Sequence, residues 1–292
     1  MTKGSGKKFG WPALLMVLQS VIYGFGDPIS KIAFDVVPVY SMMTVRYTIA
    51  FAAAFILFRK RIVETLRTVP VRAWLIPGIC IGLSYVLNNV ALSMTEATSV
   101  AFLRSLSVVI TPAFAFLIYR RRYRPGLILI QILVLPGLYL LCVHGGLSGF
   151  GAGEIITLAA AAMTAAALVS SKQYLEMVEP ASMTALMAGC SALMAAIGSF
   201  AVEGGIHLEA ADTKVWLIIL YLALACTLLG YLLQNLALTR ISDREVALIQ
   251  TLCPVMTAFF SFILLGEKLS GAGIAGALII IACVVAASLA GE

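Results

Sequence analysis

The sequence predicts an all-α integral membrane protein whose ten transmembrane helices form two inverted five-helix repeats. Composition, the spacing of apolar runs and an internal repeat predict it. Of the 292 residues, 61% are hydrophobic and 12% charged, with a mean hydropathy of +1.02. A soluble domain holds about 45–50% apolar and about 25% charged residues, which excludes that class. The apolar residues gather into ten runs, each near the roughly 20 residues that cross a bilayer as a helix. These runs are continuously apolar, whereas barrel strands alternate in segments of about ten residues. Finally, YVLNNVALSMTEATSVAFLRSLSVVITPAFAF from Tyr85 matches YLLQNLALTRISDREVALIQTLCPVMTAFFSF from Tyr231 without a gap. The register pairs Asn89 with Asn235, Leu106 with Leu252, Thr111 with Thr257 and Phe114 with Phe260. A two-copy repeat of half a hydrophobic chain is the duplicated architecture of secondary transporters, not the short period of a solenoid.

Taken in order, the first span covers 10–33 and contains Gly24, Gly26 and Pro28, expected to loosen the helix around Asp27. Lys3, Lys7 and Lys8 precede it, but the run is too long for a signal peptide and lacks a small-residue cleavage site. The second span, 38–59, carries Arg46, and the third, 72–94, carries Tyr85, Asn88 and Asn89. The fourth, 97–119, holds Arg104 and Pro112, and the fifth covers 125–143. The first repeat is thus 1–148 and the second 149–292. In the second, 152–172 opens on Glu154, a favourable acid at a helix N-terminus, and 180–202 comes next. The eighth span, 214–238, holds Tyr231, Gln234 and Asn235; the ninth, 244–265, holds Gln250 and Pro254; the tenth is 270–290. Pro112 and Pro254 fall within about one turn of equivalent positions, which marks them as candidate gating points. GxxxG-like spacings such as Gly149 with Gly153 read as close helix packing, leaving a monomer or weak dimer.

Charge placement sets the topology. With both termini in the cytoplasm, fifteen lysines and arginines fall on the inner side and three, Lys31, Lys214 and Lys268, on the outer side. That is the positive-inside pattern, and it accounts for the basic composition without nucleic acid. Five helices per half is odd, so the second copy enters from the opposite face. The basic RRRYR after the fourth span against the balanced GEKLS after the ninth agrees with the inversion.

The other two basic residues, Arg46 and Arg104, lie within spans together with Asp27. Charges there face a cavity or a partner. Counted along their helices at 1.5 Å per residue, all three sit roughly 9 to 12 Å below the outer surface, level with Asn88 and Asn89. Asp27 and Arg46 read either as a buried ion pair joining the first two helices or as part of a binding site. Two arginines against one acid leave an excess positive charge for a substrate carboxylate or phosphate. Arg104 is the candidate for that contact; the other reading of Arg104 is snorkelling to the headgroups. Asp27 is also a candidate for proton or ammonium binding. Tyr231, Gln234 and Asn235 repeat the stripe of Tyr85, Asn88 and Asn89, with Gln250 at the position of Arg104, and complete a candidate binding set with Tyr23. The same stripe also serves as helix–helix glue. Six cysteines without a CxxC pair and two distant histidines offer no disulfide, metal, cofactor or catalytic pattern.

These motifs resemble a known family. LIQTLCPVMTAFFSFILLGEKLS from Leu248 is similar to the end-of-repeat motif of EamA-like transporters in the drug/metabolite transporter superfamily. VAFLRSLSVVITPAFAFLIYRRRYR from Val100 resembles its first-repeat version, YGFGDPISKIAFDVVP from Tyr23 the first-helix ending, and MMTVRYTIA from Met42 the second-helix Arg-aromatic pair. The resemblance covers essentially the whole chain. It implies ten helices in two inverted repeats, a central cavity open alternately to each side, and a bacterial inner membrane. It also weakens Arg46 as a specificity residue, because an arginine there resembles a general family feature, while Asp27 departs from the small or polar residue usual before the proline.

The expected function is therefore secondary transport, in the export direction, of a small polar metabolite such as an amino acid or related zwitterion, with protons as the candidate coupling ion. The alternative is efflux of a cationic or amphiphilic compound held by Asp27 and the rings of Tyr23, Tyr85 and Tyr231. An enzyme or channel is disfavoured, because the chain shows neither a catalytic constellation nor a filter-like element.

Overall fold

The computed structural model describes residues 10–95, 97–120, 125–142, 151–266 and 270–290. Among the described residues every regular element is helical. Helix α1 (Trp11–Phe34) starts on Pro12, tolerated in a first turn whose N–H groups have no intrahelical partner. It runs unbroken through Gly24, Gly26 and Pro28, so the expected loosening around Asp27 is absent. Close packing explains Gly24 instead: a Cβ there would lie 2.8 Å from the Thr257 backbone nitrogen, so α1 crosses a later helix backbone to backbone.

Helix α2 (Val39–Thr68) is longer than its predicted span and continues past a kink at Phe58. Arg59, Lys60, Arg61 and Arg67 therefore ride on a helix, not in a loop. After α3 (Arg72–Met94), the predicted fourth span divides into α4 (Ala97–Ser105) and α5 (Ser107–Tyr119) around a turn at Leu106. Helix α6 (Pro125–Cys142) completes this half.

The second half comprises α7 (Ala152–Tyr174) and α8 (Pro180–Gly198), which passes into a π-helical stretch, Ser199–Glu203. Next come α9 (Thr213–Tyr221), a π-helical stretch Leu222–Leu229 and α10 (Gly230–Leu238), one continuous rod of changing pitch. The predicted ninth span divides like the fourth, into α11 (Asp243–Ile249) and α12 (Leu252–Leu265), before α13 (Gly271–Ala290). Eight helical stretches among the described residues are long and apolar enough to cross a membrane. The predicted fifth and tenth spans contain shorter apolar stretches, Leu129–Leu140 and Gly271–Ala286.

Helices of one half pack chiefly against helices of the other: α3 on α7 and α8, α2 on α8, α1 on α10 and α12, and α6 on α13. Neither half buries its apolar faces alone. Ile56, Leu117, Leu193 and Phe200, by contrast, stay mostly exposed on the outside, as side chains against lipid tails do.

Polar clasps join the halves at the helix ends. The Glu203 carboxylate accepts the backbone N–H groups of Tyr40 and Ser41, both at 2.8 Å, and the Ser41 hydroxyl at 2.7 Å, so it caps the N-terminus of α2. At the opposite end of the same helix pair, Arg61 forms an ion pair with Glu179, the N-cap residue of α8. Glu154 acts as the expected first-turn acid, accepting the Gly151 N–H at 3.0 Å, and also holds the Thr95 hydroxyl at 2.6 Å. The Lys172 ammonium donates to the Leu238 and Ile241 carbonyls, closing the end of α10.

Candidate functional site

Between the halves, α1 presents Gln19, Tyr23 and Asp27 at i, i+4 and i+8, a single helical face. Two cavities lie against it. The larger, with about 530 Å³ of empty space, is lined by Gln19, Ser20, Tyr23, Ser84, Tyr85, Asn88, Arg104, Thr164, Gln250 and neighbours from α4, α5, α11 and α12. The smaller, about 300 Å³, lies farther along α1 and is lined by Tyr23, Gly26, Asp27, Ser30, Arg46, Tyr85, Asn88, Asn89, Arg104 and residues of the second π-helical stretch. Tyr23, Tyr85, Asn88 and Arg104 belong to both and form the partition between them.

The partition is built from close contacts. Tyr23 and Tyr85 meet edge to face with ring centroids 6.1 Å apart, and Tyr85 lies 5.5 Å from Tyr231. Gly230 makes room: a Cβ there would fall 2.5 Å from the Tyr23 ring. Tyr231 is 1% exposed and backs the stack without lining either cavity.

The Arg104 guanidinium donates to Asp27, at 2.8 Å to Oδ2 and 3.5 Å to Oδ1. The Thr257 hydroxyl donates to the same Oδ2 at 3.2 Å, and the Cys253 sulfur lies 3.2 Å from the Arg104 nitrogen. The partner of Asp27 is thus Arg104, not Arg46, and the buried pair between the first two helices does not form. Arg104 does not snorkel; it is tied across the cavity to α1. The reason is the turn at Leu106, which ends α4 just after Arg104 and frees the side chain to reach α1, while Gly24 holds α12 and its Thr257 close.

Arg46 is 5% exposed. Its Nε–H donates to the Thr227 hydroxyl at 3.0 Å, and its guanidinium carbon lies 5.1 Å from the Tyr47 ring centre. Thr227 sits inside the π-helical stretch and donates to the Leu222 carbonyl five residues back at 3.0 Å. A wider turn therefore sets this contact, as π-bulges often do at functional sites.

Other expected site residues separate by role. Asn88 lines both cavities with an amide oxygen that has no partner among the described residues, and Asn89 lines the smaller, its amide spent on the Tyr85 carbonyl at 2.7 Å. Gln250 lines the larger cavity, where its amide N–H groups reach Gln234 at 2.8 Å and Gln19 at 3.2 Å. Gln234 only supports that cluster, and Asn235 bonds Thr184 at 3.0 Å; both are helix–helix glue outside the cavities. Pro112 and Pro254 sit within α5 and α12, each a few residues after the turn that splits its span, so the breaks fall at 106 and 250–251, beside Arg104 and Gln250. Gln19, Ser84, Thr164, Thr227 and Thr257 join the site without having been expected there. Gln19 is legible as a lone amide in an apolar run, whereas serine and threonine are too common in membrane helices to stand out.

Known proteins resemble this chain along nearly its whole length. Over 289 residues the chain is 28% identical to an uncharacterized transporter of Archaeoglobus fulgidus, covering 97% of this chain and 88% of that one. It is also 28% identical over 292 residues to a probable amino-acid metabolite efflux pump of Salmonella typhimurium, covering 94% and 93%. A solved crystal structure shares the fold at a TM-score of 0.77 with 18% identity, over 95% of this chain and 96% of the other. The EamA-like transporter family matches residues 10–143 and again 151–289, and the chain is a multi-span membrane protein belonging to that family.

Proposed function

We propose that the protein is a secondary carrier, and neither an enzyme nor a channel, that exports a small polar metabolite of the amino-acid type across a bacterial inner membrane. In this reading ten helices form two inverted repeats, 1–148 and 149–292, with both termini cytoplasmic. The matched turns at 106 and 250–251 support the duplication, as do contacts that recur in equivalent pairs: α3 on α7 with α1 on α10, and α4 and α5 on α7 with α11 and α12 on α1. One observation carries the function: two cavities lined by many polar side chains and stacked along α1, separated by Tyr23, Tyr85, Asn88 and the Asp27–Arg104 pair. Such a partition keeps a polar path closed within a membrane, and alternating access requires a barrier that moves from one side of a bound solute to the other.

The geometry weighs against the cation reading. Asp27 already accepts from Arg104 and Thr257, so a quaternary ammonium would have to displace a guanidinium. For protons as coupling ion, the same pair makes the mechanism specific: protonating Asp27 releases Arg104, which unlocks α4 from α1. Counterflow into proteoliposomes tests the carrier reading. Purified protein is expected to give saturable uptake of labelled amino acids that internal amino acid accelerates. Flux that is unsaturable, or absent for the whole amino-acid panel, refutes the reading.

A further inference from the structure

The guanidinium left without a carboxylate is that of Arg46. Asp27 is satisfied by Arg104, and no acid among the described residues pairs with Arg46. Within this layer two guanidinium groups face one carboxylate, so a full positive charge is uncompensated in a water-poor interior, a costly arrangement unless a ligand completes it. The Nε–H is spent on Thr227 and the guanidinium carbon lies over the Tyr47 ring, two contacts that orient the group. The two terminal nitrogens make no hydrogen bond to the described residues and border the smaller cavity. They form the end-on fork whose spacing matches the two oxygens of a carboxylate. Beside them the Asn88 amide oxygen lines the same cavity and has no hydrogen-bond partner among the described residues. An acceptor oxygen beside a cationic fork suits a solute with a carboxylate and a donor group.

We infer that Arg46, held by Thr227 and Tyr47, is the subsite for the substrate's carboxylate, and that Arg104 serves Asp27 instead. The inference rests on the carrier reading and names the substrate group that enters the cavity beside Arg46. It sets a selectivity: amino acids enter and their carboxamides, lacking the charge, do not.

The test uses the full chain in detergent, with thermal unfolding as the binding readout and counterflow as the transport readout. The probes are L-leucine and L-leucinamide, then the other amino acids of the counterflow panel with their amides. Acids are expected to raise the unfolding temperature and amides not. Arg46→Gln is expected to weaken binding of the acids by roughly ten- to a hundredfold, as loss of a charged hydrogen-bonding partner does. The double variant Asp27→Asn/Arg104→Gln removes the other pair as a unit and is expected to keep the preference for acids. Should Arg46→Gln fail to fold, Arg46→Lys decides: it keeps the charge but loses the fork and is expected to bind acids several-fold more weakly. Acid binding that is unchanged in Arg46→Gln or Arg46→Lys, or a preference lost only in the double variant, overturns the assignment while counterflow still stands. Absence of both binding and counterflow for every acid overturns the carrier reading with it.

Discussion

Replacing Asp27 by asparagine isolates the Arg104 guanidinium, and the structure sets the size of the effect. The two side chains are 18% and 14% exposed, so both charges lie largely out of water. Breaking a buried pair by removing one partner costs about 3–5 kcal/mol, because the other charge stays buried without compensation. The residual exposure and the neighbouring Cys253 place Asp27→Asn near the lower end, about 3 kcal/mol. Adding Arg104→Gln removes the stranded charge and is expected to restore about 2 kcal/mol of that loss. Adding Arg46→Gln instead is expected to restore less than about 0.5 kcal/mol, the ordinary limit for residues that share no direct interaction. The assay is equilibrium unfolding of the four variants of each cycle in one detergent, followed by tryptophan fluorescence. A larger coupling of Asp27 to Arg46 than to Arg104 would refute the pairing, and with it the assignment of the free guanidinium.

Three further outcomes are expected. Cysteines placed at Gly4 and Gly291 in a background without the six native cysteines should resist an impermeant thiol reagent in intact cells and label in inverted vesicles; labelling of intact cells contradicts cytoplasmic termini. Gly230→Ala puts a methyl group against the Tyr23 ring and should cost about 1–3 kcal/mol by overpacking, measured as a lowered unfolding temperature; an unchanged temperature shows that the partition is loose. Glu203→Gln removes the anionic cap from α2 and should cost about 1–2 kcal/mol, as N-cap losses do, with faster amide exchange at Tyr40 and Ser41; unchanged exchange shows that the clasp is not holding.

The sequence reached the fold more closely than the site, for physical reasons. Bilayer thickness forces long apolar runs, so eight of the ten expected spans could be read directly, to within a few residues at most ends, while the fifth and tenth hold only shorter apolar stretches among the described residues. The extension of α2 to Thr68 was hidden because its last ten residues are polar enough to pass for a loop, yet Ile62 and Thr65 bury one face of it. The residues of the charged layer were legible for the same reason as the spans: a charge in hydrocarbon has to be there for something. Their pairing was not. Depth along a helix is countable from sequence, but azimuth depends on how helices cross. The turn at Leu106 and the π-helical stretch at Leu222–Leu229 each rotate the helical residues on their C-terminal side. The π-helical stretch brings Thr227 to Arg46, whereas Arg104 lies just ahead of the turn at Leu106, and its reach to Asp27 depends on how α4 crosses α1. Duplication likewise predicted equivalent positions without equivalent roles, since Asn89 lines a cavity and Asn235 ties α10 to α8.

The interleaving of the halves adds a constraint on any motion. Because α1 packs on α12 and α3 on α7, neither half of the chain can rock as a unit without dragging helices of the other. Movement has to be absorbed inside helices, and the described residues contain breaks at suitable places: the turns at 106 and 250–251. Each lies next to a residue that closes a cavity wall, Arg104 in one half and Gln250 in the other. Arg104 is held by an ion pair and Gln250 by amide bonds to Gln19 and Gln234, so both latches grip α1 at different heights. A solute carboxylate on Arg46 would sit beside the first latch. Its negative charge near Asp27 disfavours two anions in one layer and draws Arg104 between them. Binding would thus weaken the charged latch while leaving the neutral one closed, an asymmetry suited to opening one side at a time.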